Sequence, residues 1–401
     1  MSAEKTAWIA GAASVEITPL DVRQTYLAGF GPNRKANGVL DPLFARALYL
    51  SNGQTETVIV ALDLIGLPYP DAMAIRKSIE VVPAENIFIC CTHTHEGPDT
   101  MGLWGPAIGS GLPLVPGKDP TYLKMLADRV VHAVRRAKAR SVPAKIAMAE
   151  DRTEKEFTWN IRRRGLLDHA LSLLRVDRAK DGKNIAVLTN YASHPETLWF
   201  ENKKISADFP LAIHNRLERK FGGVSIFING ALGAMVTPGI DEDAPLSVRE
   251  SFYTAYGSKI AAIAENLAES AQYIDDARLE VENREVMLPL DNRRFKLASW
   301  LGLIERELED ERVRTTVGYL RIGPAQVVGF PGETEPGLGL ACKELLSGAP
   351  RFFFGLCNDE IGYILQASDF GTNLYKYETS MSLSADSAGI LMKTLREMVR
   401  N

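Results

Sequence analysis

An α/β or mixed α+β fold, with a mixed β-sheet flanked by helices, is predicted for this chain of 401 residues. Three observations predict it. Apolar runs of strand length recur from one end of the chain to the other. Stretches with helical apolar stripes are interspersed among them. An Asn52-Gly53 pair joins two of the runs as an antiparallel hairpin, which a purely parallel sheet would not contain.

The elements follow in order. A first strand begins at Trp8 and runs toward Val15-Glu16-Ile17-Thr18-Pro19. Residues 45–50 and 58–64 flank the hairpin turn Ser51-Asn52-Gly53-Gln54. Residues 71–79 read as a helix, and the unbroken apolar run 86–91 as a strand buried on both faces. Helix 120–140 carries the stripe Leu123, Leu126, Val130 and Val134, with Arg136, Lys138 and Arg140 at the end where positive charge suits the dipole. Further strands are expected at 146–149, 171–176, 185–191, 224–228, 279–287, 315–322, 326–330 and 352–356. Helices are expected at 209–221, 246–270, 297–308, 335–346 and 384–400. No repeat, low-complexity tract or linker divides the chain, so residues 1–401 are expected to form one domain. The loops 97–118 and 290–296 are expected to wall a site, because long loops in compact domains are often functional.

Composition narrows the function. Lys+Arg number 46 against 50 Asp+Glu, for a net charge of -4, which argues against nucleic acid as the main partner. Hydrophobic content of 46% and charged content of 24% exclude disordered, collagenous and coiled-coil chains. No apolar run approaches the roughly 20 residues of a membrane span, so no stable membrane insertion is expected. The apolar stretch near the N-terminus is short for a signal peptide and reads as the first strand. Cys90, Cys91, Cys342 and Cys357 show neither metal nor disulfide spacing; the adjacent pair sits inside an apolar strand and reads as reduced core. A soluble, cytoplasmic protein is expected.

The chemistry concentrates after strands. His93 and His95 follow the run 86–91, and in extended backbone residues i and i+2 face the same way, toward one pocket. Imidazole pairs of this kind suit Zn²⁺, although two polar loop residues satisfying each other give the same pattern. His194, followed by Pro195-Glu196-Thr197, has the same address after the run 185–191, and with His93 and His95 makes a candidate third imidazole. His132, His169 and His214 read as surface or core residues. A catalytic zinc takes three protein ligands and leaves a position open, so a carboxylate is wanted. Glu333, in Phe330-Pro331-Gly332-Glu333-Thr334-Glu335, is presented after a strand by a Pro-Gly turn; Glu333 or Glu335 can equally be a first-turn helix carboxylate. Arg162, Arg163 and Arg164 after Asn160 form a solvated loop or an oxyanion clamp. Tyr363, in Cys357-Asn358-Asp359-Glu360-Ile361-Gly362-Tyr363, is a packed aromatic or a phenol aimed into the site. Asp63 either orients a ligand histidine or caps its strand.

Taken together, Thr92-His93-Thr94-His95-Glu96-Gly97-Pro98, Ser193-His194-Pro195, Pro331-Gly332-Glu333 and Asn358 to Tyr363 resemble the motifs of the neutral/alkaline non-lysosomal ceramidases and their shorter bacterial relatives. The likeness runs from Gly11-Ala12-Ala13 to about Ser382. It implies one Zn²⁺ per chain held by His93, His194, Glu333 and Tyr363. It implies further that His95 contacts the reacting group, that Arg162 (Arg163 next) binds substrate, and that Tyr377 (Tyr375 competing) binds its carbonyl. The activity implied is hydrolysis of a linear amide, with an esterase or lactonase on the same zinc site, or a zinc-binding inactive relative, as alternatives. The last is suggested by Gly233-Ala234-Met235-Val236-Thr237-Pro238, which lacks the acid of the family's corresponding segment and has only Thr237 for its serine. Neither a secretion signal nor a C-terminal β-sandwich is expected, so a soluble small-molecule amide or ester is the expected partner, and a homo-oligomer is left open. A (β/α)₈ amidohydrolase also uses His-x-His, but on its first barrel strand, whereas here about four strands come first.

Overall fold

The computed structural model describes residues 8–109, 112–153, 157–306 and 308–399. Alternation along the strands sets the layering. In the strand Glu56–Leu62, Val58, Val60 and Leu62 enter one apolar cluster while Ile59 and Ala61 enter another, so both faces are buried. Helices cover one face and a second sheet covers the other.

The larger sheet has nine strands among the described residues. Its spatial order is Val224–Asn229, Asn184–Tyr191, Ala170–Arg178, Val142–Arg152, Trp8–Glu16, Phe44–Ser51, Glu56–Leu62 and Ile87–Cys91, with Gln272–Tyr273 beside Val142–Arg152. The pair at each edge is parallel and the pairings between are antiparallel. Accumulated strand twist curls this sheet until its two edge strands touch. The second sheet has five strands and orders Leu279–Pro289, Arg312–Ile322, Ala325–Gly329 and Arg351–Phe354, the last pair parallel, with Leu308–Glu309 beside Arg312–Ile322.

Four layers result. Helices Pro120–Ala139, Pro210–Phe221 and Leu246–Ser270 pack on the outer face of the larger sheet. Helices Pro336–Glu344 and Ser387–Met398 pack on the outer face of the second. Between the sheets lies an apolar core that includes Ile59, Ile226, Leu320 and Phe354. The expected mixed sheet flanked by helices is present, and a second, smaller mixed sheet packs face to face on it; continuous burial reveals that both faces are covered but not by what. The antiparallel pairings dispose of the (β/α)₈ reading.

The hairpin holds, its turn closed by the Asn52 side chain accepting from the Gln54 and Thr55 N–H groups. One helix is corrected. The expected helix 297–308 lies earlier, at Arg293–Trp300, so the expected loop 290–296 already contains its first turn. Asn292 fixes that start by accepting from Arg294 and Phe295 N–H, and Gly302 at φ 70° follows its end. Residue 307 of that expectation, residues 110–111 of the loop 97–118 and residue 400 of the last helix lie outside the described residues. Pairs too short for periodicity were not legible, notably Thr158–Asn160 with Val236–Pro238 and Glu333–Thr334 with Tyr363–Ile364.

Candidate metal centre and active site

Four strand ends meet at one place. His93 and His95 follow Ile87–Cys91, and His194 follows Asn184–Tyr191 in the larger sheet. Glu333 follows Ala325–Gly329, and Glu360 and Tyr363 follow Arg351–Phe354 in the second. The histidines converge for a different reason from the one expected. His93 has left-handed backbone, φ 71°, so the chain turns at once instead of continuing as a strand. His95 is brought back by its N–H donating to Pro195 O at 3.0 Å, which ties its turn to that of His194.

Asn229 couples the two histidine turns. Its amide donates to Thr92 O at 2.9 Å and Ser193 O at 2.7 Å, and it accepts from Ser193 N–H at 3.0 Å. Glu333 and Tyr363 are direct partners in a two-residue parallel ladder, which sets both side chains at the same level. The ambiguity between Glu333 and Glu335 is removed: Glu335 caps the helix Pro336–Glu344 by accepting from Leu338 N–H, while Glu333 faces the histidines.

The imidazoles are oriented from behind. His93 Nδ1 lies 2.6 Å from Ile65 O, and His194 Nδ1 lies 2.9 Å from Val236 O. A carbonyl only accepts, so each ring carries its proton on Nδ1 and turns Nε2 forward. Both Nε2 atoms then face one oxygen, Glu333 Oε2, at 3.5 and 3.1 Å. Ligand atoms of His93, His95 and His194 lie within 4.8 Å of one another, and all three residues are buried. Electron-pair donors that meet at one buried point need a cation between them, so the residues present fit a metal ion. His95 adds a ring whose two nitrogens have no hydrogen-bond partner among the described residues.

The segment 233–238 serves through backbone. Val236 O orients His194, and Gly233 packs so closely on the Glu333 backbone that any Cβ would collide with it. The missing acid and the Thr237 substitution therefore leave this support intact. Gly29, at φ 102°, is likewise required, because a side chain there would overlap the His95 ring. Asp63 does not reach a histidine; its carboxylate accepts from Phe44 N–H at 2.8 Å, so it caps its strand.

Burial, then His93 and His194, push the His95 imidazole far down. Burial, then Glu333, push the Tyr363 phenol well up, and the same two causes take Tyr377 to about 12.

A cavity of about 190 Å³ opens over these groups. Both expected wall segments line it, through Met101, Leu103 and Trp104 on one side and Leu290 and Phe295 on the other. Leu114 and Val115 are exposed instead, and Leu112 is half-buried. Tyr377 lines the cavity, and its ring packs edge-on to Tyr363 at 5.9 Å. Tyr375 is fully buried under Arg163 and does not line it. Neither Arg162 nor Arg163 does. Arg162 Nε binds Glu378 at 2.6 Å and lines a neighbouring cleft that shares Tyr377, while Arg163 binds Asp369. His132 is exposed on its helix, His214 is buried against Ser225, and His169 lines a separate cleft. The sequence reading missed Asn229, Glu196 and Glu360. Glu196 adjoins His194-Pro195, which was the available signal; Asn229 ends an apolar strand, and only the fold shows what it bridges.

No protein-family model and no curated protein matches this sequence. Its fold is that of neutral ceramidase. The structure of neutral ceramidase from Pseudomonas aeruginosa matches with a TM-score of 0.79 at 16% identity, over 98% of this chain and 74% of that one. A structure of ceramidase complexed with C2 matches with a TM-score of 0.78 at 15% identity, over 98% and 75% of the two chains. The resemblance read from the motifs is therefore matched at the level of the fold.

Proposed function

We propose that this protein is a zinc-dependent hydrolase that cleaves the carbon–nitrogen bond of a linear N-acyl amide. In this reading one Zn²⁺ per chain is held by His93, His194, Glu333 and Tyr363. The observation that carries it is the pair of Nε2 atoms, each oriented by a backbone carbonyl behind its ring, turned onto a single Glu333 oxygen. Bound there, zinc supplies a Lewis acid and lowers the pKa of water to about 7.

The chain's own groups do the rest. Tyr377 and His95 donate to the substrate carbonyl oxygen as it gains negative charge. His95, whose ring nitrogens have no hydrogen-bond partner among the described residues, takes the proton released by the attacking water and passes it to the departing nitrogen. Arg162 meets a polar head of the substrate from the cleft it shares with Tyr377 and, through Glu378, steadies the short helix Lys376–Ser380 that bears Tyr377. A soluble substrate and a cytoplasmic site of action belong to the same proposal. Four buried, unpaired cysteines suit a reducing compartment. No helix among the described residues is long and apolar enough to cross a membrane.

Zinc-loaded protein incubated with short N-acyl amines, the matching esters and lactones tests the reading. Release of amine from the amides is expected. Turnover of esters or lactones alone would transfer the site to the esterase reading, and turnover of none would leave the inactive-relative reading.

A further inference from the structure

His95 differs from the other two histidines of the site in how its ring is held. His93 and His194 each have a carbonyl behind Nδ1, whereas neither ring nitrogen of His95 has a hydrogen-bond partner among the described residues. The direction of its ring is therefore set by its own backbone and by what packs on it. Two neighbours press on the ring. Gly29 lies so close that a Cβ there would come within 2.4 Å of His95 Cγ, and Phe30 packs edge-on at 4.8 Å.

One side chain holds all of these at once. Arg34, in the connection between Trp8–Glu16 and Phe44–Ser51, is 6% exposed. Its Nη1 donates to Ala28 O at 2.9 Å and to His95 O at 3.1 Å. Its Nη2 donates to Glu96 Oε2 at 2.6 Å and to Asn202 O at 3.0 Å, and only Nε has no partner among the described residues. The guanidinium also sits over the Phe30 ring, 4.9 Å from its centroid. Glu96 is anchored in turn by the Asn202 amide at 2.8 Å. A buried cation is costly unless it is paired and hydrogen-bonded, which one carboxylate and three carbonyls supply here. The planar fork of an arginine meets four acceptors lying in different directions; the point charge of a lysine on its flexible stem does not.

We infer that Arg34 is the positioning residue for His95: it fixes the imidazole against the cavity by gripping the carbonyls of Ala28 and His95 and the ring of Phe30. That His95 carries a proton rests on the hydrolase reading; that Arg34 sets its ring does not. The supports of the site are then divided. Asn229 braces the turns that carry His93 and His194, and Arg34 braces the one that carries His95. Disturbing Arg34 should impair proton transfer and leave zinc in place.

The charge-conserving Arg34→Lys tests this in two ways. In crystal structures of the zinc-loaded wild type and variant, which need no turnover, the His95 ring should be displaced by about 1 Å or divided between two positions. His93, His194 and the zinc should stay in place. In kinetics on a short N-acyl amine, kcat should fall about 10²-fold with KM changed less than about twofold. The p-nitrophenyl ester of the same acid should lose several-fold less, because p-nitrophenolate leaves without a proton. A His95 ring unmoved in the variant would overturn the inference. Equal losses on the two substrates would overturn it too, being the mark of a general structural role. Should Arg34→Lys not fold, Phe30→Leu, which removes the ring that the guanidinium holds against His95, is read in the same way. The same displacement and the same amide-selective loss are expected there, and their absence would overturn the inference. Wild type that turns over neither substrate would defeat the hydrolase reading, while the crystal structures would still decide this one.

Discussion

At the scale of single residues, neighbouring groups of one type have different jobs, and the difference is burial and direction. Tyr377 shares the cavity with Glu333, whereas Tyr375, two residues earlier, is sealed beneath Arg163 with no hydrogen-bond partner for its hydroxyl among the described residues. Tyr377→Phe is therefore expected to lower kcat by about 10²- to 10³-fold with little change in KM, the signature of a donor used in the transition state. Tyr375→Phe should leave kcat unchanged and cost less than about 1 kcal/mol in a urea melt, because it removes a buried hydroxyl that has no partner. Equal kinetic losses in the two variants would show that the cavity does not separate them. Asp63 offers a test in pH. Burial raises its carboxyl from 3.8 to about 6, against the pull of Arg46 and the Phe44 N–H. The folded state thus holds that proton more tightly than the unfolded chain. The resulting stabilisation is complete below about pH 4 and is lost as pH rises through 6. Asp63→Asn should lack this loss, on the order of 3 kcal/mol, when melts at about pH 4 and 7 are compared.

At the scale of elements, the turns after the strands are held by one another more than by the strands. Asn229 alone satisfies Thr92 O, Ser193 O and Ser193 N–H. Asn229→Ala should cost about 3 kcal/mol by leaving these groups unpaired, and should weaken zinc binding about 10- to 100-fold, measured by competition with a chelator. Unchanged zinc affinity would mean that the two histidine turns stand independently. This dependence also explains what the sequence made legible. Long elements with strong periodicity, such as Pro120–Ala139 and Leu246–Ser270, are readable because burial repeats along them. The helix at Arg293–Trp300 was displaced in the reading because its start depends on an Asn292 cap, while apolar residues such as Leu303 continue the stripe past its end. His93, His194 and Glu333 are legible as candidates by their place after strands. The two-residue ladder that sets Glu333 opposite Tyr363 carries no period at all, and Asn229 looks like any strand end until the partner turn is known.

At the scale of the molecule, the proposed metal site straddles the two sheets: the histidines come from the larger one, and Glu333 and Tyr363 follow strands of the smaller. The apolar core between the sheets should therefore act on the site from a distance. Leu320→Ala, in that core, is expected to cost about 2–5 kcal/mol and to weaken zinc binding as well. Leu391→Ala, in the outer layer over the smaller sheet, should cost a similar amount and leave zinc affinity unchanged. Parallel losses of affinity would show that the layers respond as one body. All of this depends on a metal ion held by donors from both sheets, and the most direct test is metal content. Elemental analysis of metal-replete protein should find about one zinc per chain, lost in His93→Ala and in Glu333→Ala while circular dichroism shows both variants folded. No zinc in the native protein, or zinc retained in both folded variants, would contradict the account.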